Sequence, residues 1–166
     1  MKKILSDFLT KKLFDQIIKL AKELINEEHA FVIGKYLNYP ASLEFALKLK
    51  ETSYLHAEAF ASGELKHGVI TLVQKNTPCF VLAVNDQVKD EILSSAAQMK
   101  ARGGKIIGIA SFEANEFDKL IKTPNMGDLT VFANIIVGQL LGYYLGIGRG
   151  ADPDKPRNLA KSVTVK

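Results

Sequence analysis

The chain has 166 residues, of which 47% are hydrophobic and 24% charged, so it is long enough for one compact domain with its own core. The formal net charge is +4, but the 22 basic residues are spread along the chain, which argues against a nucleic-acid-binding surface. The single cysteine, Cys79, excludes an internal disulfide and a cysteine-based metal cluster. Its apolar neighbours predict a buried thiol rather than a nucleophile.

Two segments bear on the cellular compartment. The amino-terminal sequence MKKILSDFLTKK has basic residues but no uninterrupted apolar stretch of signal-peptide length. Residues 131–148 approach the length of a membrane span, but Asn134, Gln139 and four glycines dilute the apolar run. We therefore predict a cytoplasmic protein without a membrane span, in which residues 131–148 form a helix buried in the core or at a subunit interface.

The first predicted element is a helix over residues 2–27, which has leucine and isoleucine on one side and lysines on the other. A short buried strand, HAFVIG, follows at residues 29–34 and is stopped by a glycine. The dipeptide Tyr39-Pro40 opens a second helix, because proline fits a first helical turn. This helix continues through LEFALKLKE, residues 43–51.

The remainder of the chain also alternates strands and helices. Strands are predicted at residues 69–73, 79–84 and 105–111, with a weak strand near 119–124, and helices from Asp86 to Lys100 and over 131–148. This alternation predicts an α/β fold in which a parallel sheet is covered on both faces, giving three αβα layers. We expect a helical lead-in over residues 1–28, one domain over 29–150 and a carboxyl-terminal tail over 151–166.

The helix over residues 43–51 carries a stripe of charge. Glu44, Lys48 and Glu51 stand at i, i+4 and i+7, so they share one narrow face. One interpretation is a solvated face with an ion pair that stabilises the helix by about 0.2–0.5 kcal/mol. The other is a binding site, because the helix begins just past the carboxyl end of a predicted strand, where such sheets bind ligands. The residue pattern alone leaves both interpretations open.

Histidine and lysine side chains are the other candidates for chemistry. His67 lies in a glycine-flanked, loop-like segment and is the best candidate for proton transfer, although a single histidine is more often structural. Lys161 is either a surface lysine or, if its amine is deprotonated, a Schiff-base nucleophile. No histidine pair has a metal-binding spacing, and no Gly-x-Gly-x-x-Gly or P-loop motif supports a nucleotide, so we expect neither a metal nor a cofactor.

Two long motifs resemble one enzyme family. NYPASLEFALKLKETSYLHAEAFASGELKHG, residues 38–68, and DKPRNLAKSVTV, residues 154–165, are similar to the second sugar-isomerase (SIS) half of glucosamine-fructose-6-phosphate aminotransferases, the glutamine-dependent glucosamine-6-phosphate synthases. The resemblance implies an SIS-type, flavodoxin-like sheet of five parallel strands. It also implies conversion of fructose-6-phosphate and glutamine-derived ammonia to glucosamine-6-phosphate.

The resemblance also implies roles for single residues. Glu51 corresponds to the family's isomerisation base, which moves a proton between C1 and C2 of the sugar. His67 is similar to the ring-opening histidine, which in the family reaches the active site of the adjacent subunit, so a homodimer is expected. Lys161 resembles the lysine that forms a Schiff base with the open-chain ketose. Three further residues correspond to substrate contacts: Glu44, Lys48 and Ala160.

The chain departs from the family at several positions. Phe45 stands where the family usually has glycine, Gly34-Lys35-Tyr36 replaces Gly-Arg-Gly, and Val69-Ile70 replaces proline-leucine. The family's glutaminase domain and first SIS half, whose serine- and threonine-rich loop holds the sugar phosphate, have no counterpart in these 166 residues. We therefore expect the chain to be part of a longer enzyme and to be inactive alone.

Two hypotheses about function follow from these patterns. The first is that the chain is the isomerase half of the synthase, with a sugar phosphate as substrate. The second is a free-standing SIS module that binds a phosphosugar and regulates another protein without catalysis. The complete set of reactive side chains favours the first, since a pure binding module has no evident need for the Schiff-base lysine.

Overall fold

The structure is a computed structural model and describes residues 2–159 of the chain. Within them, five strands, five α-helices and two short 3₁₀ helices follow one another. In chain order these are α1 (Lys2–Phe8), α2 (Lys11–Glu23), β1 (His29–Gly34), α3 (Asn38–Ser53), β2 (His56–Ala61), the 3₁₀ helices Ser62–His67 and Val69–Leu72, β3 (Pro78–Ala83), α4 (Lys89–Lys100), β4 (Lys105–Ala110), β5 (Lys119–Lys122) and α5 (Thr130–Gly148).

The five strands form one parallel sheet in the order β2-β1-β3-β4-β5. The chain runs outward from β1 to β2 and then crosses to β3 on the other side of β1, so the strand order reverses between β1 and β3. Every residue of β3 is buried, as expected of a central strand covered on both faces. The predicted α/β fold with five parallel strands is confirmed.

Helices cover both faces of the sheet. On one face α2, α3 and α5 pack against a core that includes Val32 and Phe80. On the other face α4 and the 3₁₀ helices pack against a core that includes Ile33 and Val81. The two cores use alternate residues of the same strands, because successive side chains of a strand point to opposite faces. The result is the predicted three-layer arrangement.

The long apolar helix α5 packs closely on α3. A Cβ atom added to Gly138 would lie 2.6 Å from the ring of Phe45, and one added to Gly142 would lie 3.0 Å from the carbonyl oxygen of Lys48. Among the described residues one helix, Gly127–Gly148, is long and apolar enough to cross a membrane. The side of this helix that packs on α3 is buried, as predicted, but only 44% of the apolar stretch is buried and Phe132, Tyr143 and Ile147 are exposed.

Two predicted helix boundaries are wrong. The helix predicted over residues 2–27 is two helices, because Thr10 caps the start of α2 and its Oγ1 accepts a hydrogen bond from the N–H of Leu13 at 3.3 Å. The predicted start at Asp86 is three residues early. Asp86 instead closes a turn before α4, with its Oδ1 accepting from the N–H of Val88 at 3.0 Å.

The predicted strand at residues 69–73 is also wrong, since Val69–Leu72 is a 3₁₀ helix. Gly68 precedes it with a φ of 133°, and the hydroxyl of Thr71 donates to the Gly68 carbonyl at 2.6 Å. These local contacts favour a turn over an extended strand. The place beside β1 is taken by β2, which the sequence pattern did not predict because half of its residues are alanine and alanine is not typical of strands.

Candidate active site

The charged stripe lies on α3, which is held between the sheet and α5. Phe45 and Leu49 are completely buried on one side of the helix. Pro40 lies in the first turn, as predicted. Tyr54 ends the helix in the left-handed conformation, with a φ of 57°, and its N–H donates to the carbonyl of Lys50. The packing fixes the helix backbone and thus the positions from which the stripe side chains extend.

The stripe side chains form a network centred on Lys48. The Lys48 ammonium lies 2.6 Å from the Glu51 carboxylate and 3.6 Å from that of Glu44. The hydrogen bond that Lys48 donates to Glu51 raises the pKa of Lys48, against the opposing effect of burial and with help from the charge of Glu44. Lys48 is therefore a cation at neutral pH. It is suited to binding substrate oxygens rather than to nucleophilic attack.

Along α3 the stripe runs away from the carboxyl edge of the sheet. Glu51 lies two residues before the end of the helix, which leads into the amino end of β2. A cavity of about 380 Å³ at the carboxyl edge is lined by other residues, mainly of α4 and the first 3₁₀ helix. Lys35 lines this cavity, and its ammonium pairs with Glu91 of α4. The structure therefore does not bring the stripe into that cavity.

His67 lies far from Glu51 within one chain. It ends the 3₁₀ helix that follows the carboxyl end of β2, whereas Glu51 lies near the amino end of that strand. A six-residue strand spans about 20 Å. Leu65 of the same 3₁₀ helix packs with α4, on the opposite face of the sheet from α3. The His67 side chain is 72% exposed and its Nδ1 lies 3.1 Å from a carboxylate oxygen of Glu64.

The other two histidines contact each other at the amino ends of β1 and β2. Nδ1 of His29 lies 2.9 Å from Nδ1 of His56, and the two residues are paired in the strand register. Within residues 2–159, no group of three or more His, Cys, Asp or Glu side chains is placed to hold a metal ion. The Cys79 thiol is buried, as predicted, and burial raises its pKa to about 12.

After α5 the chain returns to the end of α3. The backbone N–H of Arg157 donates to the Tyr54 hydroxyl at 3.0 Å, and the Arg157 guanidinium lies 4.1 Å from the centre of the Tyr54 ring. No sequence pattern indicates this contact, since the residues are 103 positions apart. Ala160 and Lys161 lie outside the described residues, so their predicted roles stay predictions.

One position that departs from the resembled family has a clear packing partner. The Phe45 ring lies 5.1 Å from that of Phe80, centre to centre, and fills the space beside Gly138. The bulky side chain is therefore directed into the core and away from the charged stripe. The phenylalanine at this position therefore changes the packing of α3 on the core but does not contact the charged stripe.

Comparison with known proteins decides the family. A family model described as the SIS domain matches residues 23–122. The chain belongs to the SIS domain family. The matched segment contains the whole parallel sheet and all of α3, so this SIS domain includes the charged stripe.

The curated relatives of this SIS domain are much longer proteins. The chain is 43% identical over 156 residues to the glutamine–fructose-6-phosphate aminotransferase (isomerizing) of Neisseria meningitidis serogroup A, a match that covers 91% of the chain and 26% of the relative. It is 44% identical over 157 residues to the enzyme of the same name from Lactiplantibacillus plantarum, covering 94% and 26%. The chain thus spans about a quarter of the length of these relatives.

Solved structures give the same result for the SIS fold. The C-terminal domain of glucosamine-fructose-6-phosphate aminotransferase from Francisella tularensis superposes with a TM-score of 0.79 at 37% identity, covering 87% of this chain and 42% of that chain. Glucosamine-6-phosphate deaminase from Thermotoga maritima superposes with a TM-score of 0.71 at 27% identity, covering 92% and 46%. Sequence and structure therefore agree with the predicted homology to the carboxyl-terminal isomerase domain of the aminotransferase.

Proposed function

We propose that the chain is the carboxyl-terminal isomerase half of a glutamine–fructose-6-phosphate aminotransferase. The observation that carries this proposal is the ion pair of 2.6 Å between Lys48 and Glu51 on α3, in a chain that is 43% identical to a protein of that name. A carboxylate about a quarter exposed, beside a fixed cation, is a suitable group for moving a proton on a polar substrate.

In the proposed reaction Glu51 accepts a proton from C1 of the ketose and returns it at C2, which gives the aldose. Lys48 contacts the sugar oxygens beside these carbons and stabilises the negative charge that develops there. Glu44 adds its charge to the larger effect of the Glu51 hydrogen bond in raising the pKa of Lys48, and it completes the face proposed to bind the sugar. These roles use the three side chains in the arrangement that they have on α3.

Lys161 is proposed to form the Schiff base with the open-chain sugar. Its deprotonated amine attacks the C2 carbonyl, a carbon–nitrogen bond forms, and the carbonyl oxygen leaves as water. Ammonia then adds to the C2 iminium carbon and Lys161 leaves as the free amine, so that C2 carries the new nitrogen and the lysine is released. The protonated sugar imine withdraws electrons and makes the C1–H bond more acidic, so Glu51 can remove that proton and return it at C2. Ala160, the preceding residue, is proposed to contact the bound sugar.

The proposed enzyme works as a homodimer. His67 lies on a 3₁₀ helix whose Leu65 packs on the face of the sheet opposite α3, which supports a role outside the site of its own chain. We propose that it opens the sugar ring in the site of a second copy. The outer sides of α3 and α5 also expose large apolar side chains, which is typical of a partner surface. These are Leu43, Leu47, Phe132, Tyr143 and Ile147.

The remaining parts of the reaction are proposed to lie outside the 166 residues. Phosphate binding would belong to a first SIS half and glutamine hydrolysis to a glutaminase domain, in a cytoplasmic enzyme. The chain covers only 26% of its curated relative and 42% of the Francisella structure, which leaves room for both. A stand-alone regulatory module is not favoured, because the relatives are named as aminotransferases.

The test uses a chimera in which this chain replaces the matching part of the Francisella domain. The chimera should convert fructose-6-phosphate to glucose-6-phosphate, and with ammonium it should form glucosamine-6-phosphate. Glu51→Gln should lower kcat by roughly 10²–10⁴-fold, the range for loss of one general acid–base group. Lys161→Arg should abolish formation of glucosamine-6-phosphate, because arginine cannot form the Schiff base. Borohydride should trap fructose-6-phosphate on Lys161 but not on the arginine variant, since arginine does not lose its proton.

Matched controls are available for both substitutions. Glu58→Gln changes an exposed carboxylate on β2, and Lys155→Arg changes an exposed lysine of the tail, so both should keep the activity of the chimera. Lys161→Arg or Glu51→Gln variants as active as these controls would contradict the proposal. The isolated chain should be inactive in both assays, and turnover at the rate of the chimera would contradict the need for a first SIS half.

A further inference from the structure

We infer that Tyr54 and Arg157 form a clamp that positions the carboxyl-terminal tail, so that Lys161 reaches the sugar beside Glu51. The roles of Lys161 and Glu51 come from the proposed function, but the clamp consists of described residues and can be tested without any sugar chemistry. Tyr54 and Arg157 are positioning residues in this inference, because neither needs to touch the substrate.

Arg157 contacts Tyr54 through two different groups. Its backbone N–H donates to the phenolic oxygen at 3.0 Å, and its guanidinium lies over the aromatic ring at 4.1 Å from the centre. The first contact fixes the backbone of the tail, and the second is a cation–π contact made by the side chain. Together they hold one tail residue by both its main chain and its side chain.

Tyr54 is itself rigidly attached to the helix that carries Glu51. It adopts the left-handed conformation, which is uncommon for a residue other than glycine, and its N–H donates to the Lys50 carbonyl at 3.1 Å. The next residue, Leu55, is completely buried. Glycine is the usual residue at this position of a helix end, so the tyrosine is consistent with a use for its side chain.

The start of the tail is fixed at the same end of α3. The Arg149 guanidinium donates to the carbonyl of Ser53 at 3.0 Å and to carbonyls of the loop between α2 and β1. Residues 149–157 therefore form a loop whose first residue contacts Ser53 and whose last residue contacts the adjacent Tyr54. The clamp closes this loop and sets where the following residues begin.

The spacing shows what the clamp achieves. Lys161 is four residues after Arg157, so even a fully extended connection spans no more than about 14 Å. Glu51 is three residues before Tyr54, about one helical turn or 5 Å along the axis. Without the clamp the tether would begin at Ala151, whose N–H donates to the Gly146 carbonyl at 2.9 Å and which lies ten residues before Lys161. The local concentration of a tethered group falls with the −3/2 power of tether length, so it should drop about fourfold.

The first experiment measures the tail directly in the 166-residue chain. Ser162→Cys provides a labelling site for a nitroxide, and Cys79 should not compete because it is buried and its pKa is about 12. In the native background the nitroxide should broaden the amide resonances of Glu51 and Thr52. Tyr54→Leu should reduce this broadening and Tyr54→Phe, which keeps the ring, should reduce it less.

Three further variants make the comparison specific. Arg157→Gln should weaken the broadening and Arg157→Lys should restore part of it, because lysine keeps the cation over the ring. Tyr36→Leu removes an exposed tyrosine that has the same left-handed backbone conformation, in the loop between β1 and α3, and should change nothing. Broadening that is absent in the native chain, or equal in the Tyr54→Leu variant, would overturn the clamp whatever Lys161 does.

The second experiment measures the consequence in the chimera. Tyr54→Leu should lower the rate of borohydride trapping at Lys161 and kcat about fourfold, with little change in KM for fructose-6-phosphate or in the midpoint of unfolding. A merely structural role would instead shift the unfolding midpoint. Unchanged trapping would overturn the inference. If the native chimera shows no trapping at all while the nitroxide result holds, the proposed role of Lys161 fails and the clamp stands.

Discussion

The ammonium group of Lys48 lies 2.6 Å from the carboxylate of Glu51, three residues further along α3. Both side chains are roughly a quarter exposed, so water reaches the pair. Ion pairs of this kind typically contribute less than about 1 kcal/mol to stability. The pair is therefore a weak element of the fold, which leaves both side chains available for the proposed role in binding and proton transfer.

The stability of this pair should depend on pH in a defined direction. Because the folded chain raises the pKa of Lys48 above 10.5, the stabilisation is complete below pH 10.5 and is lost as the pH rises through the raised value. The difference in free energy of unfolding between the native chain and Lys48→Met should stay constant from about pH 7 to 9. It should shrink above pH 10.5.

Urea unfolding monitored by circular dichroism measures this difference, and Lys50→Met provides the control on the same helix. Lys50 is exposed and has no described carboxylate partner within ion-pair distance, so its substitution should give no comparable pH dependence. If the difference in free energy of unfolding between the native chain and Lys48→Met increased at high pH, the raised pKa of Lys48 would be contradicted.

Arg149 should be the most important single charged residue for stability. Its guanidinium donates to the carbonyls of Leu24, Ile25, Glu27 and Ser53, which joins α2, α3 and α5. Arg149→Met removes all four hydrogen bonds, although the Leu24 carbonyl still accepts from the N–H of Glu27, and should cost about 2–3 kcal/mol of unfolding free energy. Arg102→Met, which removes an exposed arginine bonded to one carbonyl, should cost less than about 0.5 kcal/mol in the same denaturation assay. Equal losses of unfolding free energy in the two variants would mean that water forms the hydrogen bonds of the missing Arg149 guanidinium.

Several features of the fold could be predicted because they depend on local periodicity. The apolar runs of β1, β3 and β4 predict buried parallel strands, and the stripe on α3 follows directly from residues spaced by three and four. β2 escaped prediction because its alanines are small enough to pack beside β1 without the bulky residues typical of strands.

The arrangement of the candidate site depends instead on how distant segments meet. Tyr54 and Arg157 are 103 positions apart, and no spacing rule connects them. The separation of His67 from Glu51 follows from which face of the sheet each helix covers, and hydrophobic periodicity does not specify that face. Long-range contacts of this kind require the structure.

The close packing of Gly138 against Phe45 gives a prediction about core geometry. Ala at position 138 would place its Cβ 2.6 Å from the Phe45 ring and 3.1 Å from its Cα, so Gly138→Ala should destabilise the chain by about 1–3 kcal/mol. The double variant with Phe45→Leu should lose at least about 0.5 kcal/mol less than the sum of the single losses. Gly148→Ala is the control, because its nearest neighbour lies at 3.4 Å. Additive losses would show that the two positions are independent.

The placement of His67 predicts that two inactive chimeras can rescue each other. One carries Glu51→Gln and the other His67→Asn, and each alone should be inactive because its sites lack one group. In a mixed dimer, the site with an intact Glu51 receives an intact His67 from the partner, while the other site lacks both. Random exchange makes half of the dimers mixed, so about a quarter of all sites should be active. Formation of glucose-6-phosphate after mixing measures this fraction.

The control for this rescue is a mixture in which both chimeras carry the same substitution, and it should remain inactive. Subunit exchange is verified separately with one chimera that carries an affinity tag. Absence of rescue then cannot be due to a failure of the subunits to exchange. If the exchanged mixture stays inactive, His67 serves the site of its own chain. That result would require the 3₁₀ helix Ser62–His67 to leave its position against α4, because it now lies on the face of the sheet opposite α3. Rescue to about a quarter would instead follow from the observed fold without any rearrangement.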